Sequence, residues 1–263
     1  LIRRALNQKT CAELSFEGFL ELAQGLGCVG VEPRNDLGRP FFDGASGAEA
    51  AAMAKGRGLR LLGLSEVYGF NVWDDERAAQ IVALADAAES SGAETVSLIP
   101  CVDDRTVMPL VDVLRELVPL FKGRKVTPLI EPIGFVTSSV PRKAELVRAI
   151  EAVDPQMFGI VHDTFQHCIA GEQDLFPDFT RMVHISGISD PSVPLDDAQD
   201  KQRVWVDADD RCGNLAQIAA FLEAGYEGAF SFECTAEGRF GPEGPAKARA
   251  SFEYIEQMVG AGA

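Results

Sequence analysis

The sequence predicts an α/β fold, a (β/α)8 TIM barrel forming a single domain over residues 1–263. Three observations carry that expectation. One pattern recurs: an amphipathic helix stops at a glycine, a few residues follow, and a short apolar strand ends in a polar residue. Roughly eight strand–helix units can be counted, and strands alternating with helices favour a parallel sheet. The length, 263 residues, suits a barrel of this type at ~250 residues.

In chain order, the first strand is read at Arg3–Leu6. Ser15 caps a helix that places Phe16, Phe19, Leu20, Ala23 and Leu26 on one face and stops at Gly27. Cys28–Glu32 follows as a strand, then a helix at Gly47–Gly56 and a strand at Leu59–Leu64. Asp74 or Asp75 opens the next helix, with Ile81, Leu84, Ala85 and Ala88 at helical spacing and Gly92 at its end. Thr95–Pro100 is a strand, Val107–Val118 a helix, Val126–Glu131 a strand, Lys143–Val153 a helix and Phe158–Asp163 a strand. The stretch after Asp163 has no clear helical period, so that unit reads as irregular before the strand at Met182–Ile185. Asp190–Asp210 is a polar loop of a length that is often functional in compact domains. Asn214 is read as the cap of a helix carrying Leu215, Ile218, Ala219 and Leu222 and ending at Gly225. Strand Ala229–Glu233 and helix Pro245–Val259 follow. Gly25-Leu26-Gly27-Cys28-Val29-Gly30 spells a dinucleotide fingerprint, but it closes a helix and enters a strand, the reverse of what pyrophosphate binding needs.

Charge narrows the partners. Forty Asp and Glu face twenty-four Lys and Arg, a formal net charge of −16. Binding a phosphate backbone relies on Lys and Arg displacing counterions, so nucleic acid is not an expected partner. The same field is compatible with cations and neutral polar substrates. No stretch approaches the ~18 apolar residues of a membrane span, and Leu1–Asn7 has two arginines with no apolar run behind them, so neither a membrane nor a signal peptide is expected. Cys11, Cys28, Cys101, Cys168, Cys212 and Cys234 show no two-residue spacing and read as buried thiols in a reducing compartment. A cytoplasmic protein is expected, and a homo-oligomer is compatible with these features.

In such a barrel, reactive groups sit at the C-terminal ends of the strands. The last four predicted strands end in Glu131, Asp163, His184 and Glu233. Side chains alternate along a strand, which puts Glu131 with Leu129 and Thr127, Asp163 with Val161 and Gly159, and Glu233 with Ser231 and Ala229. All four groups then point into one mouth, with Phe230 and Phe232 against the helices. Three carboxylates gathered together raise one another's pKa, and a divalent cation removes that conflict. Carboxylate oxygens with one imidazole suit Mn²⁺, Mg²⁺, Co²⁺ or Zn²⁺.

Leu129-Ile130-Glu131-Pro132, Val161-His162-Asp163-Thr164-Phe165, Val183-His184-Ile185-Ser186 and Phe230-Ser231-Phe232-Glu233 resemble the xylose-isomerase-like TIM-barrel superfamily of sugar isomerases and epimerases, in order and over nearly the whole chain. Val31–Leu37 and Arg203-Val204-Trp205 resemble its inosose (2-keto-myo-inositol) isomerases of inositol catabolism. The resemblance implies one divalent metal held by Glu131, Asp163, His184 and Glu233, with Glu131 and Glu233 also exchanging protons with substrate. It implies that Arg203 contacts substrate oxygens. Many relatives carry histidine three residues after the aspartate; here Gln166 stands there, with His167 next to it. Glutamine can hydrogen-bond a hydroxyl but carries no proton at neutral pH, so His167 is the candidate for an imidazole's role. Val206–Asp210 replaces the proline- and glycine-rich turn of many relatives.

The implied chemistry is metal-dependent isomerisation of a small neutral sugar or keto-polyol through a cis-enediolate, with inosose the expected substrate. A ketose 3-epimerase, a hydroxypyruvate isomerase, a keto-polyol dehydratase and a non-catalytic sugar-binding barrel are the alternatives. Endonuclease IV shares the barrel but needs a histidine-rich multi-zinc cluster, whereas this chain has His162, His167 and His184 only. His162 alternates away from Asp163 and is expected to pack against a helix. Arg34, Asn71 and Trp73 lie in loops on the catalytic side as candidate substrate contacts, and Glu32 and Glu66 end earlier strands facing either the pocket or solvent.

Overall fold

Every strand in the computed structural model runs parallel to its neighbours, and residues 1–238 and 240–261 are described. The strands are β1 (Arg3–Asn7), β2 (Gly30–Glu32), β3 (Arg60–Leu61), β4 (Gly63–Tyr68), β5 (Thr95–Ile99), β6 (Thr127–Ile130), β7 (Gly159–Asp163), β8 (Thr180–Ile185) and β9 (Ala229–Phe232). The helices are α1 (Phe16–Gly25), α2 (Gly47–Gly56), α3 (Asp75–Ser91), α4 (Leu110–Phe121), α5 (Lys143–Val153), α6 (Thr164–Ile169), α7 (Asn214–Glu223) and α8 (Gly244–Ala261). The sheet order is β3-β2-β1-β9-β8-β7-β6-β5-β4, so the two ends are adjoining pieces of one stave. A parallel bridge between Arg34 and Ser65 draws the seam together, with Asn35 N donating to Ser65 O at 2.9 Å. The result is the expected single TIM-barrel domain.

Local chemistry sets most boundaries where the sequence puts them. Ser15 accepts from Gly18 N and Asp74 from Arg77 N, satisfying N–H groups that a first turn leaves unpaired. Gly92 ends α3 in the left-handed conformation, φ 67°. Four elements depart from expectation. The strand read at Leu59–Leu64 is two pieces interrupted at Leu62, because β3 pairs with β2 while β4 pairs with β5. α4 begins at Leu110 rather than Val107, because Met108 N donates to Asn71 O at 2.8 Å and Pro109 is the cap. Asn214 is the first helical residue of α7 and not its cap, which is Gly213. The helix start is held instead by Asp210, whose Oδ2 accepts from Asn214 N at 2.9 Å. After Asp163 there is a six-residue helix, α6, too short to display a period.

The core has two parts. Ala5, Leu62, Leu129, Val161, Met182 and Ala229 fill the barrel interior. A larger apolar shell lies between the strands and the outer helices, where Phe232 meets Phe252 at 4.4 Å and Trp205 at 5.0 Å. The Asp190–Asp210 loop is pinned by a bridge between Gly187 and Val204. A Cβ on Gly187 would lie 2.9 Å from Asp210 Oδ1, so only glycine permits that close approach. Among the described residues no helix is long and apolar enough to cross a membrane.

Candidate metal centre

Strand alternation decides which side chains meet in the mouth. Glu131, Asp163 and His184 each stand two residues beyond an interior plug residue, Leu129, Val161 and Met182, and so face the same way. Glu233 follows Ser231 and Ala229 in the corresponding row of the last stave. Register sets Asp163 level with His184, and His184 level with Ser231, two residues before Glu233. One donor atom from each of the four lies within 4.8 Å of the others, and each residue is at most 5% exposed.

The donor set fits a cation. Donors ~2.1 Å from a shared ion stand at most ~4.2 Å apart, close to the observed spread. His184 Nδ1 is buried without a hydrogen-bond partner, 3.4 Å from Glu233 Oε2 and 3.7 Å from Glu131 Oε2. Burial pushes Glu131 up to about 7, opposed by His184 and reinforced by Glu233 and Asp163. Burial also raises Asp163, against the pull of Arg203. Glu233 resists the same burial and is held well below the usual carboxylate range by His184, Arg203 and Arg34. A divalent ion would relieve the strain on Glu131 and Asp163.

Two arginines brace the cluster. Arg203, buried in the loop after β8, donates through Nη2 to Asp163 Oδ2 and to Glu233 Oε2, the latter at 2.9 Å, and through Nε to Ser186 Oγ at 2.9 Å. Arg34 donates to Glu233 Oε1 at 2.7 Å, to Glu66 Oε2 at 2.6 Å and to both oxygens of Asp36. Lys9 closes the rim on Asp36 at 2.5 Å. Above the cluster lies a cavity of about 380 Å³ lined by Arg34, Glu66, Tyr68, Glu131, Gln166, Arg203 and Glu233, with Ile99, Val102, Ile133 and Phe135 as its apolar wall. A larger cleft of about 1130 Å³ adjoins it past Val102 and Phe135, but none of the four donors lines it.

The predicted residues divide plainly. Glu131, Asp163, His184, Glu233, Arg203, Arg34 and Gln166 are brought together. Gln166 Oε1 accepts from Gly134 N at 2.8 Å, which leaves its amide group to donate toward the cavity. His167 is not brought in: its Nδ1 lies 2.7 Å from Lys143 Nζ and its ring packs on His162 at 4.9 Å, so the imidazole expected beside Gln166 belongs to another cluster. On a helix, neighbouring residues cannot share a face, and Gln166 takes the one toward the mouth. His162 packs outward against Phe221 at 4.7 Å, with Nε2 2.8 Å from Gln217 Oε1. Asn71 is a structural brace, accepting from Cys101 N and donating to Ser139 Oγ, and Trp73 packs against the outer core. Glu32 is the residue that the strand-end reading undervalued: it is buried, with Oε2 3.0 Å from His184 Nε2. Its signal was present, since it too ends a strand two residues beyond an inward position.

Fold and cluster together define a TIM barrel with a candidate metal centre at its C-terminal mouth. The chain belongs to the xylose isomerase-like TIM barrel family, whose model matches residues 20–258. A xylose isomerase domain-containing protein from Salmonella typhimurium LT2 is similar at 26% identity and TM-score 0.82, over 99% of this chain and 97% of that one. The structure of IolI with a zinc atom is similar at 18% identity and TM-score 0.85, over 99% of both chains. An L-ribulose 3-epimerase is similar at 16% identity and TM-score 0.72, over 99% of this chain and 95% of that one. The last two are likenesses of fold. No curated protein matches the chain.

Proposed function

We propose that the protein is a metal-dependent isomerase acting on a small neutral keto-polyol, with inosose its substrate. The observation that carries this reading is the buried ring of Glu131, Asp163, His184 and Glu233 beneath a cavity of sugar-accommodating polarity. These four residues would hold one divalent ion, Zn²⁺, Mn²⁺, Mg²⁺ or Co²⁺, which when bound would polarise a substrate carbonyl and its neighbouring hydroxyl.

The chain's own groups supply the rest. One of Glu131 and Glu233 removes the proton from the hydroxyl-bearing carbon, and a positioned carboxylate is worth ~10²–10⁴-fold in rate. Return of a proton to the adjacent carbon, with the hydroxyl proton passing through water to the former carbonyl oxygen, gives the isomer; return to the same carbon from the other face gives an epimer. Arg203 and the Gln166 amide orient substrate hydroxyls, and Ile133 and Phe135 exclude water. The cations facing the cavity, Lys9, Arg34 and Arg203, are already paired with Asp36, Glu66, Asp163 and Glu233, which favours an uncharged substrate over a phosphorylated or carboxylated one. The resemblance of Val31–Leu37 and Arg203-Val204-Trp205 to inosose isomerases supports inosose as substrate, and the fold shared with L-ribulose 3-epimerase makes ketoses the second panel to try.

Incubation of the metal-loaded protein with inosose and with ketoses in D₂O tests the reading. Solvent deuterium entering a product of otherwise unchanged composition is expected with inosose. Loss of water would replace the isomerase by a dehydratase, turnover of ketoses alone would replace inosose, and unlabelled substrate throughout would leave a sugar-binding barrel.

A further inference from the structure

We propose that Glu32, which is not one of the four donors, is the positioning residue that fixes the tautomer and aim of His184; this rests on the metal-centre reading above. Glu32 ends β2, on the far side of the mouth, and reaches His184 across 152 residues of sequence. Its Oε2 lies 3.0 Å from His184 Nε2, with the side chains 2% and 1% exposed. On the other edge of the same ring, Nδ1 has no hydrogen-bond partner and looks toward Glu131 and Glu233.

The two nitrogens of a neutral imidazole cannot both donate. A carboxylate can only accept, so in the metal-loaded ring Glu32 holds the single N–H at Nε2 and the Nδ1 lone pair is directed at the centre. An outer carboxylate of this kind both orients a ligating imidazole and strengthens it as a donor. The rest of the carboxylate has no competing assignment: Oε1 is buried without a hydrogen-bond partner. Glu32 is held in place by the β1–β2 ladder, where it pairs with Asn7. Burying a carboxylate whose hydrogen-bond partner is an imidazole is unfavourable in itself, and orientation of that ring is the gain the geometry offers in return.

Zinc titration by calorimetry of wild type, Glu32→Gln and Glu32→Leu tests this, together with ¹⁵N NMR of the histidine rings in the zinc-loaded protein. Glu32→Leu is expected to weaken zinc binding ~10- to 100-fold, whereas Glu32→Gln, whose amide oxygen still accepts from Nε2, stays within several-fold of wild type. The wild-type spectrum is expected to place the His184 proton on Nε2. Unchanged zinc affinity in Glu32→Leu, equal losses in both variants, or a proton on Nδ1 would overturn the role of Glu32 while leaving the centre intact. Where Glu32→Leu does not fold, Glu32→Ala takes its place with the same expectation and the same overturning result. Failure of wild type itself to bind zinc, or Mn²⁺, Mg²⁺ or Co²⁺ in its place, would instead remove the metal reading and this proposal with it.

Discussion

Two buried polar clusters stand back to back across β7, and they differ in how nearly their charges balance. Consecutive residues open onto them: Asp163 faces the mouth, and His162 faces the helices. In the outer cluster, Lys143 Nζ lies 2.8 Å from Glu172 Oε2 and 2.7 Å from His167 Nδ1. The same Glu172 carboxylate accepts from the backbone N–H groups of Lys143 and Ala144, finishing the first turn of α5. Gln217 joins His162 to the carbonyls of Thr164 and Cys212. One cation meets one anion, and the imidazoles stay neutral because burial and then Lys143 push both His162 and His167 down. The mouth has no such balance. Glu32, Glu131, Asp163 and Glu233 gather around His184 with two arginines between them, so carboxylates outnumber the cations that face them; each cluster leaves one imidazole nitrogen without a partner, Nδ1 of His162 and Nδ1 of His184. A compensated cluster braces a fold; an uncompensated excess of negative charge is a place for a cation.

The comparison can be broken most sharply at Glu131. Replacing it with Gln removes a proposed ligand and acid–base group, and turnover is expected to fall by ~10³-fold or more. The metal-stripped protein should melt no lower than wild type, since one unfavourably buried charge has gone. Loss of activity accompanied by a large fall in melting temperature would make Glu131 a structural residue instead.

In the outer cluster the pattern should invert. Lys143→Met strands Glu172 in a buried site, and breaking such a pair costs about 3–5 kcal/mol. Denaturant unfolding should register that loss while the metal content per chain stays the same. A smaller effect follows from His167, held down to about 4 from an ordinary 6.5 by burial and Lys143. The unfolded chain binds a proton below pH 6.5 that the folded chain refuses until about 4. Stability is therefore fully present above pH 6.5 and declines as pH falls toward 4, by up to about 3 kcal/mol. His167→Phe should flatten that part of the stability–pH curve; an unchanged slope would place the proton uptake elsewhere.

Much of the mouth was legible in the sequence because it depends on short-range rules. Alternation along each strand fixes the faces of Glu131, Asp163 and Glu233, and parallel strands in sequence order bring their ends together. What escaped depends on closure. The Glu32–His184 contact joins β2 to β8, and nothing within either segment reveals the other. His167 was misassigned because α6 has only six residues, too few for a period to show which neighbour faces inward. Asn214 has a capping residue's chemistry, yet its amide donates to Ser186 O and Asp210 Oδ2, and Asp210 accepts the helix's first N–H. Composition could not foresee the outer cluster, since a lysine on a helix ordinarily faces water and Lys143 is buried.

Stoichiometric metal binding tests the central claim most directly. Stripped protein titrated with Zn²⁺ or Mn²⁺ should take up one ion per chain, with binding lost in Asp163→Asn and retained in Lys143→Met. Absence of one-to-one binding, or binding undiminished in Asp163→Asn, would contradict it.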